Sequence, residues 1–180
     1  MILGPKTLLH LVKKQKLVEN LSERELTNPE GAGFDLRLGE VYKITGKKAF
    51  LGVTERHTAD VKLVKKYDTE KPSKLVIKPG DFYLVKTIED VNMPENLTAS
   101  ITPRSTTYRS GLMLRTGNVP PGYCGGLTFG LVNEGPVTVT IEMGARFVHI
   151  QFSEVSGGGN MYRGQWQGGR VTATKKEKQV

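Results

Sequence analysis

Short runs rich in β-branched and aromatic residues recur between Gly- and Pro-containing turns, and this spacing most constrains the fold. Phe34, Leu36 and Leu38 alternate with Asp35, Arg37 and Gly39, the period of a half-buried strand. Residues 41–44 continue that strand or pair with it. Residues 75–77 lead through the turn Pro79-Gly80-Asp81 into 82–85. Further strands are predicted at 97–101, 127–132, 137–141 and 147–152. Residues 46–73, rich in Lys, Thr and Asp, read as an exposed excursion with one strand at 61–64. Such a series, in a chain with 21 Gly and 9 Pro, predicts a mainly β barrel or jelly roll.

Two helical signals precede the strands. Pro5 suits a first helical turn, and Leu8, Leu9 and Val12 give residues 5–16 an apolar face. Ser22 and Glu25 have capping-box spacing for one short turn. At the other end Gly157-Gly158-Gly159-Asn160 reads as a hinge. It divides a barrel domain, 1–156, from a lid-like arm and basic tail, 157–180. The chain has 180 residues, the size of one domain, and shows no internal repeat.

The net charge of +8 implies an anionic partner, although part of it lies in the tail at Lys175, Lys176 and Lys178. No zinc-finger or ribonucleoprotein signature favours nucleic acid, so nucleotide phosphate is the stronger reading. No apolar run reaches membrane-spanning length, and the first residues lack a signal-peptide pattern. The single cysteine, Cys124, excludes an internal disulfide. Together these features predict a cytoplasmic protein.

Four segments could carry chemistry. Arg104, Ser105, Thr106 and Arg109 place guanidiniums and hydroxyls just after a strand, a donor set that matches phosphate oxygens. A polar surface turn has the same composition. Residues 117–125 form a proline-stiffened loop in which Tyr123 packs flat on a sugar, or simply closes a hairpin. Tyr162, Arg163, Gln165 and Trp166 on a hinged segment suit a lid over a ligand, or a tail that packs on a neighbouring subunit. His149 and Gln151 share one strand face, Val148 and Ile150 the other. His149 reads first as a structural histidine, and Cys124 has no His/Asp context for a nucleophile.

Taken in order, these segments resemble the dUTPase/dCTP deaminase superfamily. Ala32-Gly33-Phe34-Asp35-Leu36 is similar to its first motif and Pro103-Arg104-Ser105-Thr106 to its phosphate motif. Residues 117–125 are similar to the third motif and 144–151 to the fourth. Arg109 and the stretch from Tyr162 resemble the deaminase branch. The resemblance implies a distorted jelly-roll barrel, assembled as a homotrimer with sites between subunits. It implies a bound dUTP or dCTP carrying magnesium (Mg2+). Arg104, Ser105, Thr106, Arg109 and Gln151 would hold phosphates, and Asp35 would orient metal-bound water. Tyr123 would lie against the sugar, Gly117, Asn118 and Val119 would read the base, and Tyr162, Arg163, Gln165 and Trp166 would close the lid.

Two positions depart from that pattern. Pro120 stands where the dUTPases carry the aspartate that positions water, and Gly130 where the deaminases carry a proton-shuttling glutamate. Neither side chain can accept a proton. Glu134, Glu142 and His149 are the nearby substitutes. The sequence therefore predicts nucleotide binding with deaminase or diphosphatase chemistry implied by the resemblance. The alternative is a non-catalytic nucleotide sensor or structural trimer on the same scaffold.

Overall fold

The computed structural model describes residues 1–178. Helix α1 (Pro5–Gln15) leads through β1 (Val18–Glu19) and α2 (Glu23–Thr27) to the long strand β2 (Phe34–Ile44). The excursion holds β3 (Phe50–Leu51), β4 (Glu55–His57) and β5 (Val61–Lys66), and β6 (Lys74–Ile77) and β7 (Phe82–Asn92) follow. Then come β8 (Leu97–Pro103), α3 (Ser105–Arg109), β9 (Leu112–Arg115), β10 (Asn118–Val119) and β11 (Cys124–Asn133). The chain continues through β12 (Val139–Glu142) and β13 (Arg146–Glu154) to β14 (Glu177–Lys178).

The main sheet runs β10-β8-β13-β2-β7-β11-β9, with β1 added on β7 and β5 on β2. Its pairings are antiparallel, and register shifts interrupt β2, β11 and β13. Such bulges increase local twist and curl the sheet around one core. Phe34, Leu36, Leu38, Val85, Leu131, Phe147 and Phe152 fill that core. The mainly β barrel, with its short N-terminal helix, is the fold the sequence predicts.

Several local expectations change. Residues 34–36 are all buried, so β2 does not alternate at its start, and Asp35 is an interior residue. Alternating burial extends β7 to eleven residues, well past the predicted 82–85. Strand β9, with Leu112 and Leu114 inward and Met113 and Arg115 outward, was not among the predicted strands. Ser22 caps α2 by accepting the Glu25 amide at 3.4 Å, but the Glu25 side chain turns away from the reciprocal bond.

The arm lies on its own barrel. Gly157 and Gly158 take left-handed φ values of 78° and 82° and turn the chain back. Tyr162 and Trp166 pack against the core, and Ala173 is fully buried. Strand β14 pairs with β4, placing Glu177 opposite Arg56. The last two residues of the predicted basic tail, Gln179 and Val180, lie outside the described residues.

Candidate functional site

The predicted site residues fall into two groups. The first surrounds Asp35, whose side chain is 3% exposed. Strand register sets Asp35 opposite His149. Asp35 Oδ1 lies 3.0 Å from His149 Nδ1, while Oδ2 pairs with Arg104, with Arg146 at 2.9 Å and with Arg24 at 3.7 Å. The Asp35 amide donates to the buried carboxylate of Glu25 at 3.0 Å, and Glu25 itself pairs with Arg24. Two interior carboxylates are thus balanced by three guanidiniums, as burial of charge requires. Burial holds the His149 pKa below the usual histidine value, and Arg104 adds to this against the pull of Glu25. Against a carboxylate, His149 Nδ1 must carry the proton for this contact to be a hydrogen bond.

Arg104 is the N-cap residue of α3, anchored where its amide and the Thr107 hydroxyl both donate to the Phe147 carbonyl at 3.0 Å. Ser105, Thr106 and Arg109 are exposed on that turn, and Gln151 is half-buried on the His149 face. Arg24, Glu25 and the ion-pairing role of Arg146 went unread in the sequence. Glu25 carried a capping signal, and its true role depends on contacts ten residues away along the chain.

The second group lines a pocket of about 400 Å³. Gly117, Asn118, Val119 and Pro120 line it together with Leu84, Thr128, Phe129 and Tyr123. The arm supplies Tyr162, Trp166 and Arg170, and the excursion supplies Thr58. Tyr123 is 7% exposed, donates its hydroxyl to the Gly126 carbonyl at 2.8 Å and meets Tyr162 edge-on at 5.4 Å. Burial pushes its phenol up to about 12. The arm is tied to the Tyr123 turn by Tyr162 N–H to the Pro121 carbonyl at 2.7 Å and Gly168 N–H to the Cys124 carbonyl at 2.8 Å. Gln167 bridges the Cys124 amide and the Gly122 carbonyl. An added Cβ at Gly125 would meet the Gly169 nitrogen at 2.5 Å, so this close approach requires glycine. Gln165 bonds Arg56, outside the pocket lining, and Arg163 is exposed.

No phosphate-group candidate, nor Asp35, lines this pocket among the described residues. The substitutes for the missing carboxylates are also elsewhere. Glu134 pairs with Arg115 at 3.5 Å, Glu142 with Lys74 at 3.0 Å and His149 with Asp35. Gly130 lies between Leu84 and Arg115 in the sheet, and an added Cβ would meet the Phe82 ring at 3.3 Å. The described residues hold no cluster of three or more His, Cys, Asp or Glu suited to a metal. Both Asp35 oxygens face cations or an imidazole, so this carboxylate does not fit direct magnesium ligation. No helix among the described residues is long and apolar enough to cross a membrane.

The chain is thus a curled antiparallel β-barrel with a pocket beside a glycine- and proline-rich turn and a guanidinium cluster outside the lining of that pocket. The dCTP deaminase-like family matches residues 2–155, and this chain belongs to that family. It is 32% identical to a dCTP deaminase of Pyrococcus furiosus over 94% of this chain and 96% of the relative. It is 30% identical to a "dCTP deaminase, dUMP-forming" of Dictyoglomus turgidum, over 87% of this chain and 81% of the relative. Among solved structures, the 2'-deoxycytidine 5'-triphosphate deaminase of Agrobacterium tumefaciens shares the fold with a TM-score of 0.65 at 19% identity. That match covers 86% of this chain and 49% of the other, so this chain spans about half its length.

Proposed function

We propose that this protein binds a pyrimidine deoxynucleoside triphosphate, dCTP or dUTP, in the cytoplasm. The observation that carries the reading is the pocket enclosed by residues 117–120, Tyr123 and the arm. It offers apolar and aromatic walls to a base and sugar, with backbone groups of Gly117, Asn118 and Val119 for the base edge. The relatives named as dCTP deaminases support the substrate class.

Arg104, Ser105, Thr106, Arg109 and Gln151 are the proposed phosphate set. They lie apart from the pocket within one chain, which supports a site shared between copies in a homotrimer, with the phosphate set of one copy completing the pocket of another. Magnesium would arrive on the triphosphate, held by its phosphate oxygens, and Asp35 would touch it only through water. Bound there, the ion would neutralise phosphate charge. Asp35 itself holds Arg104 and Arg146 together by pairing with both, and leaves each guanidinium partly exposed.

The usual proton-transfer groups are replaced by Pro120 and Gly130, and a positioned general base is worth about 10²–10⁴-fold in rate. Turnover by the ordinary route is therefore slow or absent, and the protein acts as a binder or sensor of the nucleotide. The second reading, deamination or dUTP hydrolysis through another base, is favoured by the names of the relatives. Incubation with magnesium and each deoxynucleoside triphosphate, followed by chromatographic separation, decides between them. Unchanged dCTP and dUTP is the expected result, and rapid formation of dUTP, dUMP or diphosphate would overturn it.

A further inference from the structure

Arg170 is the only charged side chain lining the pocket among the described residues. It does not stand free. Its Nη2 lies 2.7 Å from Glu177 Oε1 and its Nη1 lies 3.4 Å from Oε2, a fork set on a carboxylate. This is the geometry in which guanidinium also grips a phosphate. Glu177 is delivered by built structure. It belongs to β14, in register with Arg56 on β4. Between Arg170 and Glu177, the Thr58 amide donates to the Ala173 carbonyl at 2.8 Å, and the Ala173 amide donates to the Thr58 hydroxyl at 2.9 Å. Lys176 reaches Glu55 at 3.4 Å and lies over the Phe50 ring at 5.8 Å. The excursion thus fixes the last turn of the arm and sets its carboxylate on the one pocket guanidinium.

We propose that Glu177 masks Arg170 as an internal stand-in for an anionic phosphate group of the ligand, so that nucleotide binding exchanges one anion for the other. The inference rests on the nucleotide reading of the pocket. An internal carboxylate competes at the high effective concentration of a tethered group. Apparent affinity falls by the fraction of molecules in which Arg170 is masked. The excursion, which carries no phosphate or base candidate of its own, becomes the dock that sets this fraction.

The test titrates dCTP and, separately, deoxycytidine into wild-type protein, Glu177→Gln and Arg170→Gln by calorimetry. The single tryptophan, Trp166, sits in the same pocket, and its quenching by acrylamide reports arm release without any nucleotide. Glu177→Gln should tighten dCTP binding several-fold and leave both deoxycytidine binding and Trp166 quenching unchanged, because the Trp166 segment is held by the 121–126 turn and not by Glu177. Arg170→Gln should weaken dCTP and equally spare deoxycytidine. Glu177→Gln that binds dCTP no better than wild type overturns the mask. A gain shared equally by deoxycytidine overturns the phosphate assignment. Wild-type protein that binds neither ligand overturns the nucleotide reading itself.

Discussion

Both oxygens of Asp35 are engaged, one by His149 and the other by Arg104 and Arg146, so this residue is the counter-charge that keeps the guanidiniums in place. Breaking a buried pair leaves its partner uncompensated, at about 3–5 kcal/mol. Arg104 and Arg146 are 28% and 34% exposed, so water recovers part of that loss. Asp35→Asn should therefore lower unfolding free energy by about 2 kcal/mol in urea titration, below the full cost of a buried pair. His149 adds a pH dependence with a defined sign. Its folded pKa lies below that of the unfolded chain, about 6.5, so below that pH the unfolded state binds the extra proton. Stability contributed by neutral His149 is present above about 6.5 and declines as pH falls toward the folded value. Thermal unfolding from pH 7.5 to 5 should show this decline, and His149→Gln should remove part of it. Gly130 stands where the resemblance places a proton-shuttling glutamate. Gly130→Glu alone should not bring dCTP deamination, because Phe82 crowds the site of the new side chain. Gly130→Glu with Phe82→Ala should do better, measured by ammonia release. Equal rates in the two proteins would show that Phe82 is no obstacle.

The arm is the element whose placement matters most. Gly157 and Gly158 turn it onto its own barrel, where the 121–126 turn and β4 receive it. Truncation after Val155 should leave a folded barrel, since the β13 and β8 pairing is complete without it. Tyr162, Trp166 and Ala173 lose their packing, and a large apolar side chain contributes about 1.5–3 kcal/mol when fully buried. The melting temperature should fall by several degrees, and triphosphate binding should weaken. Equal nucleotide affinity in the truncated protein would make the arm purely structural. The turn at the start of the arm and its aromatic character were legible from the glycine run and from Tyr162 and Trp166. Its destination was not, because strand pairing between residues 55–57 and 177–178 leaves no local periodicity. The same cause hid the interior position of Asp35. Alternation predicts which face a residue takes, and only the opposing β13 and α2 make that face an interior one.

At the scale of the molecule, the fold followed from strand spacing and turn residues, and family membership fixed the class of chemistry to consider. Within one chain the proposed phosphate set, Arg104, Ser105, Thr106, Arg109 and Gln151, lies outside the lining of the pocket. A shared site requires assembly, and light scattering over a range of concentrations should give the mass of a trimer. A stable monomer would break the shared-site account. The central claim is selective binding of a pyrimidine deoxynucleoside triphosphate. Calorimetric titration with dCTP, dUTP, dATP and dGTP, each with magnesium, tests it most directly. The account predicts saturable binding of dCTP or dUTP with little heat from either purine, whereas purine binding of equal strength, or no binding of any of the four, would contradict it.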